Sequence, residues 1–247
     1  MSDIEPESSV AVDVLDSFRG LAVEGDPHDS RAVAREVHRQ LSTFLMEYKF
    51  ALDEVEVKIN ILREEFELHH DYSPIEHVKS RLKSLESLAE KVTRTQCPSD
   101  LGVIREQIRD IAGIRVTTAF VEDTYRFAEM LLRQRDVTVL ARKDYIATPK
   151  SNGYQSLHLV IAVPVFLSDR TVQVPVEVQI RTIAMDFWAS VEHRIYYKYA
   201  GQVPEHLTET LLKVAGTAAD LDAQMERLRN EIGSLASDPA EPRISQD

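Results

Sequence analysis

Cysteine is nearly absent: Cys97 is the only one in 247 residues. That excludes an internal disulfide framework and a cysteine-based zinc cluster, and it suits a reducing compartment. Long apolar runs are missing too. No stretch approaches the roughly 18 consecutive apolar residues of a membrane span, and the opening MSDIEPESSVAVDVLDSFRG carries acids where a secretory signal needs a basic region and an apolar run. Neither a Walker loop nor a dinucleotide fingerprint occurs at the required spacing, and there is no internal repeat. We therefore expect a soluble, cytoplasmic protein without a membrane partner.

Basic charge is also scarce, with 29 Lys and Arg against 41 Asp and Glu for a net charge of −12. The deficit is localised. Residues 1 to 30 hold eight acids and one Arg, for −7, and residues 236 to 247 add −2, which leaves only −3 for the middle of the chain. Such a balance argues against a broad nucleic-acid footprint, so no DNA partner is expected, but it leaves room for a locally basic nucleotide pocket.

What is present, at 43% hydrophobic content, suffices for one large or two small domains with a proper core. Residues 1 to 29 are acidic and Ser-rich without periodicity and are expected to be disordered, as is the tail 236–247; the folded domain is expected over 30–235. From Arg31 to Phe66 apolar residues recur every three or four positions, the pattern of one long amphipathic helix or two in succession. The His69-His70-Asp71 group reads as its end and a loop, since no matching carboxylate and histidine cluster follows at ligand spacing. Ser73-Pro74 is read as the start of a second helix with the stripe Ile75, Val78, Leu82, Leu85, Ala89 and Val92, flanked by Lys79, Arg81, Lys83, Lys91 and Arg94.

Beyond Cys97-Pro98 a short helix to Gln107 leads through Asp110 into a strand, Ile114 to Phe120. Then come a helix Asp123 to Gln134, strands Val137 to Leu140 and Leu157 to Val163, a hairpin at Ser168-Asp169-Arg170, and the strand TVQVPVEVQIRT, Thr171 to Thr182. Helices follow from Ile183 to Tyr199 and from Pro204 to Leu235, the last with a narrow apolar seam suited to oligomerisation. Helices, then strands with one helix between them, then helices: this order is α+β, with a mixed or antiparallel sheet of about five strands flanked by N- and C-terminal helices.

In TVQVPVEVQIRT the valines and Ile180 alternate with Glu177, Gln179 and Arg181, which puts an acceptor, an amide and a permanent cation in a row. Any sheet with one wet face would also present such a row. Other polar groups give it a second reading. Asp110 supplies another carboxylate, Lys150-Ser151-Asn152-Gly153-Tyr154 is a loop able to surround phosphates, and Tyr154 offers a ring for a base. Two acids able to share Mg²⁺ beside cations and an aromatic ring are what phosphoryl or nucleotidyl transfer requires.

Four blocks, RDIAGIRV, KDYIATPKSNGYQSLH, VEVQIRT and AMDFWASVEHRIYYKY, closely resemble the synthetase domain of the RelA/SpoT homologues, the (p)ppGpp or alarmone synthetases. The resemblance runs from about Ile75 to Leu235, and its form resembles that of the stand-alone small synthetases, without room for hydrolase or regulatory domains. It implies a nucleotidyltransferase-like synthetase fold, Mg²⁺ as cofactor, and transfer of pyrophosphate from ATP to the 3′-hydroxyl of GDP or GTP with release of AMP, in stringent-response signalling. It further implies that Arg81 and Arg115 sandwich the adenine of ATP, with Lys83 beside them. Asp110 and Glu177 are implied as the catalytic acids at the metal, Glu177 also as base for the 3′-hydroxyl. Tyr154 is implied to stack on guanine; Lys143, Lys150 and His158 surround phosphates, Gln179 and Arg181 support them, and Asp186 lies near the guanine.

Where long relatives carry Arg-x-Lys-Asp before the Tyr, Ala141-Arg142-Lys143-Asp144 keeps only the Lys and Asp, so acceptor preference between GDP and GTP is open. The hydrolase His-Asp surroundings are missing, so product hydrolysis is not expected. Small members form homotetramers, which the resemblance extends to this chain. The competing readings are a catalytically silent guanine-nucleotide-binding regulator and a nucleotidyltransferase of another substrate class.

Overall fold

The three-to-four-residue recurrence after Arg31 folds as a single helix, α1 (Ser30–His69). In this computed structural model the described residues are Phe18, Leu21, 30–70, 72–199 and 202–237; the segments expected to be disordered fall almost wholly outside them, as does Asp71. After α1 come β1 (His77–Leu82), α2 (Leu85–Thr95), α3 (Leu101–Gln107), β2 (Ala112–Thr118) and α4 (Val121–Leu132). The chain continues through β3 (Thr138–Asp144), β4 (Leu157–Phe166), β5 (Thr171–Thr182), α5 (Ile183–Lys198) and α6 (Glu205–Ser237). No helix among the described residues is long and apolar enough to cross a membrane.

The strands form one mixed sheet in the order β1-β2-β5-β4-β3, in which β2 and β5 are parallel and every other neighbour is antiparallel. One sequence expectation fails. The helix expected from Ser73 is a strand and a helix in succession, β1 and then α2. HVKSRL also alternates, with Val78 and Leu82 turned to the core, and β1 pairs with β2 from His77↔Thr117 to Leu82↔Ala112. Those ladder bonds outweigh a helical stripe that was equally consistent with the spacing. The helix begins after Ser84, whose hydroxyl accepts from the Ser87 amide as an N-cap. Ser73 closes a local turn instead, its hydroxyl bonded to Ile75.

The two faces of the sheet are unlike. On one, Ile114, Val116, Leu157, Leu159, Ile161, Val174, Val176, Val178 and Ile180 are buried against α1, which contributes Leu41, Tyr48, Val55 and Ile59, and α4, which contributes Phe127 and Leu131. Each such aliphatic residue contributes about 1.5–3 kcal/mol on burial, so this face fixes the register of every strand. Glu47 of α1 adds a polar tie: buried, it binds Arg105 of α3 and Arg170 of the β4–β5 hairpin. The opposite face carries the polar residues. Its end is closed by α5 and α6, joined around Trp188, whose indole N–H donates to the Leu211 carbonyl at 2.8 Å.

Candidate active site

Because side chains alternate along a strand, the burial of Val174, Val176, Val178 and Ile180 forces Glu177, Gln179 and Arg181 to the open face of β5. Residues directly opposite on neighbouring strands share a face. The register sets Gly113 opposite Glu177, Arg115 opposite Gln179, Arg81 opposite Gly113, Lys79 opposite Arg115, and His158 opposite Gln179. A cleft of about 390 Å³ opens there, lined by Lys79, Arg81, Asp110, Arg115, Glu177 and Gln179, with Gly113 presenting no side chain between Arg81 and Glu177.

Asp110 lies in the turn before β2 rather than on a strand. Two ammonium groups grip it: Lys91 of α2 donates to Oδ1 at 2.5 Å and Lys83 to Oδ2 at 3.3 Å. Burial pushes the Asp110 carboxyl upward in pKa, but the bonds and charges of Lys91 and Lys83 outweigh it and hold the group below the usual carboxylate range. Lys83, itself buried, has its pKa pushed down by desolvation against the pull of Asp110.

Glu177 repeats the balance. Burial raises its pKa; a His158 contact with Nδ1 3.5 Å from Oε1, and a 3.0 Å bond donated by Gln179 Nε2 to Oε2, bring it below the ordinary value. The network continues outward from there. The Arg181 guanidinium, buried, donates to Gln179 Oε1 at 2.7 Å, to the Tyr154 hydroxyl at 2.6 Å and to Asp186 Oδ1 at 3.2 Å. The Tyr154 hydroxyl also lies 2.6 Å from His158 Nε2. Tyr145, Tyr154 and His158 meet edge to face, and the Lys150 ammonium sits 4.6 and 4.7 Å from the two tyrosine ring centres.

The phosphate-type loop is a turn closed by the Gly153 amide on the Lys150 carbonyl at 2.8 Å. Asn152 accepts from the Tyr154 amide and donates to Glu192 of α5. Gly153 has φ +88°, and a Cβ there would stand 2.5 Å from that of Ala215 in α6, so only glycine lets the loop lie this close to the helix.

The fold thus brings together Arg81, Asp110, Arg115, Glu177 and Gln179 in one cleft, and His158, Tyr154, Arg181, Lys150 and Asp186 beside it. Lys143 is exposed on edge strand β3, opposite His158 in register. Lys83 lies buried against Asp110. Sequence reading named Lys91 and Lys79 only as a basic flank and passed over Tyr145. The break at Ser84 was the missing signal for the lysines, because a strand followed by a capped helix turns Lys83 and Lys91 onto one carboxylate.

Among the described residues no group of three or more His, Cys, Asp or Glu could hold a metal ion. Two carboxylates held ionised in one cleft, with no third protein ligand, match the needs of Mg²⁺, which is ordinarily bound through one or two carboxylates while substrate phosphates and water complete its shell.

Comparison with known proteins gives a consistent result. Residues 80–202 match the region found in RelA and SpoT proteins. The GTP pyrophosphokinase YwaC of Bacillus subtilis is 47% identical over 188 residues, covering 76% of this chain and 90% of the relative. The crystal structure of small alarmone synthetase 2 from Bacillus subtilis superposes with a TM-score of 0.71 at 46% identity, covering 77% of this chain and 98% of that one. Small alarmone synthetase 1 from the same organism, solved with its product pppGpp, matches with a TM-score of 0.72 at 40% identity over 78% of this chain and 98% of that one. The same synthetase has also been solved bound to AMPCPP, at a TM-score of 0.68 and 37% identity over 79% of this chain and 99% of that one.

Proposed function

The chain belongs to the RelA/SpoT family, and on that premise we propose that it is a GTP/GDP pyrophosphokinase, moving the β,γ-pyrophosphoryl group of ATP to the 3′-hydroxyl of GDP or GTP. The observation that carries this reading is the polar row Glu177–Gln179–Arg181 on a rigid strand, in register with the arginines of β1 and β2 and sharing a cleft with Asp110. The nucleotides bound to the related synthetase, pppGpp and AMPCPP, are the product and ATP-analogue types this chemistry calls for.

Arg81 and Arg115 hold the adenine between two planar guanidiniums, a stacking geometry that lysine cannot offer. Tyr154, braced by Arg181 and His158, presents its ring to the guanine, and Lys150 stands at the phosphates. Asp110 and Glu177 would hold Mg²⁺, which when bound neutralises phosphate oxygens and sharpens the electrophilic phosphorus. The 3′-oxygen attacks the β-phosphorus, the bond from that phosphorus to the α–β bridging oxygen breaks, and AMP departs with the electron pair. The hydroxyl proton passes to Glu177. A carboxylate held below its usual pKa is a better metal ligand than proton acceptor, so Glu177 takes the proton only as the new O–P bond develops, with His158 beside it to relay it.

Incubation with ATP, Mg²⁺ and either GDP or GTP, followed by nucleotide separation, tests the reaction class and the acceptor together. AMP and a guanosine 3′-diphosphate product should appear in equal amounts. Release of pyrophosphate instead would indicate nucleotidyl transfer, and guanine-nucleotide binding without AMP would indicate a silent regulator. We also propose that it acts in the cytoplasm, which suits a chain with one cysteine and no helix among its described residues long and apolar enough to cross a membrane. We further propose a homotetramer: Ile183 and Phe187 of α5 and Val214, Leu221 and Met225 of α6 leave apolar surface exposed around a groove of about 550 Å³. A monomer by light scattering at micromolar concentration would remove that assembly.

A further inference from the structure

One carboxylate oxygen joins the two halves of the site. Asp186 Oδ1 lies 3.1 Å from Nη1 of Arg115 and 3.2 Å from Nη1 of Arg181. Arg115 stands on β2 at the side assigned to adenine, and Arg181 on β5 anchors Tyr154 at the side assigned to guanine. Asp186 is held between them by its place in the first turn of α5, which Thr182 caps by accepting from the Met185 amide at 3.1 Å. In this arrangement each arginine keeps one unpaired donor. Nε of Arg115 and Nε of Arg181 are buried and have no hydrogen-bond partner, so neither guanidinium is fully satisfied.

We propose that Asp186 couples the two nucleotide subsites, making the binding of either nucleotide favour the other; the proposal rests on the subsite assignment above. In this coupling the bond at Nη1 fixes the plane of the Arg115 guanidinium, and turning that plane to lie along an adenine face weakens its hold on Asp186. A guanine edge, with its N1–H and N2–H₂ donors side by side, is the natural competitor for a carboxylate, and it draws Asp186 from Arg115 toward itself. Either ligand therefore weakens the same Arg115–Asp186 contact. The cost falls on whichever nucleotide binds first, and the second binds to a site already opened. Linkage makes this coupling reciprocal. A partly exposed ion pair belongs at the low end of such effects, about fivefold in affinity.

The test is calorimetric titration without turnover, using AMPCPP and GDP separately and together, on the parent and on Asp186→Asn, which keeps shape and hydrogen bonding but removes the charge. In the parent, saturating AMPCPP should tighten GDP binding about fivefold. In Asp186→Asn that ratio should fall to near one, and AMPCPP alone should bind more tightly than to the parent because a neutral amide holds Arg115 less firmly than the carboxylate does. The same GDP ratio in both proteins, or AMPCPP alone binding the variant no better than the parent, would overturn the coupling while leaving the subsites intact. Failure of the parent to bind AMPCPP at all would instead overturn the subsite assignment on which it rests. The AMPCPP-alone arm does not require the variant to bind GDP, and circular dichroism establishes that both proteins are folded.

Discussion

Two groups of carboxylates in this molecule, one half-buried and one buried, behave in opposite ways. In the cleft, Asp110 and Glu177 lie below the usual carboxylate range despite burial, because two lysines grip one, and a histidine and an amide grip the other. At the junction of α4 and α6, Asp123 and Asp222 lie above it. Asp123 is fully buried, and desolvation wins over Arg229, Tyr72 and Arg126. Asp222, bonded to the Thr182 hydroxyl at 2.8 Å, is pushed up to about 6 by burial and by neighbouring Glu226. Burial alone therefore does not identify a working carboxylate. The cleft pair is kept charged by cations and donors, as the proposed binding of a metal and polyphosphate requires, whereas at the junction Asp222 ties α6 to the end of β5 and Asp123 ties it to α4 through Arg229.

Exchanging residues across this divide should give losses of different kinds. Glu177→Gln keeps size and hydrogen bonding and removes the charge; pyrophosphoryl transfer should fall about 10³-fold, equivalent to about 4 kcal/mol of barrier, with the melting temperature nearly unchanged. Transfer at the parent rate would remove Glu177 from the chemistry. Asp123→Ala should do the reverse, destabilising the protein by about 3 kcal/mol in denaturant titrations because Arg229 loses its 3.2 Å partner in a buried network. The folded fraction should retain its turnover number; a large loss of turnover in folded protein would dissolve the distinction between the two groups.

The smallest effect concerns Asp222. Since its folded pKa is raised from 3.8 to about 6, the fold favours the protonated form, and the parent loses stability as pH rises through that window. Asp222→Asn, which still accepts from Thr182, escapes that loss. Its melting temperature should gain on the parent between pH 5 and pH 8, by an amount equivalent to about 1 kcal/mol. A difference that does not change with pH would mean that Asp222 ionises without penalty.

The sequence made β5 legible to the residue, since strict alternation over Thr171–Thr182 has only one sheet reading, and the long recurrences marked α6 and the helical character of α1, though not whether α1 was one helix or two. It misled at Ser73–Leu82, where apolar spacing suited a helix and only pairing with β2, a contact distant in sequence, selects the strand. The same limitation hid Lys91 as a partner of Asp110: its importance arises from where a helix lands and not from any local spacing. Asp110, Arg115 and Glu177 were named from two motif blocks and Arg81 from the basic flank that precedes them, and the four meet in one cleft. The bridge that Asp186 makes between two arginines belongs to tertiary geometry and left no mark on the chain's pattern.

The central claim, that Asp110 and Glu177 act as one metal-holding unit, is tested most directly by a double-mutant cycle in kcat/KM for ATP with Asp110→Asn, Glu177→Gln and the pair together. Residues that act as a unit are grossly non-additive. The double variant should therefore lose no more than the worse single one, about 10³-fold. Losses that multiply, toward about 10⁶-fold, would mean that the two carboxylates work independently, contradicting the account.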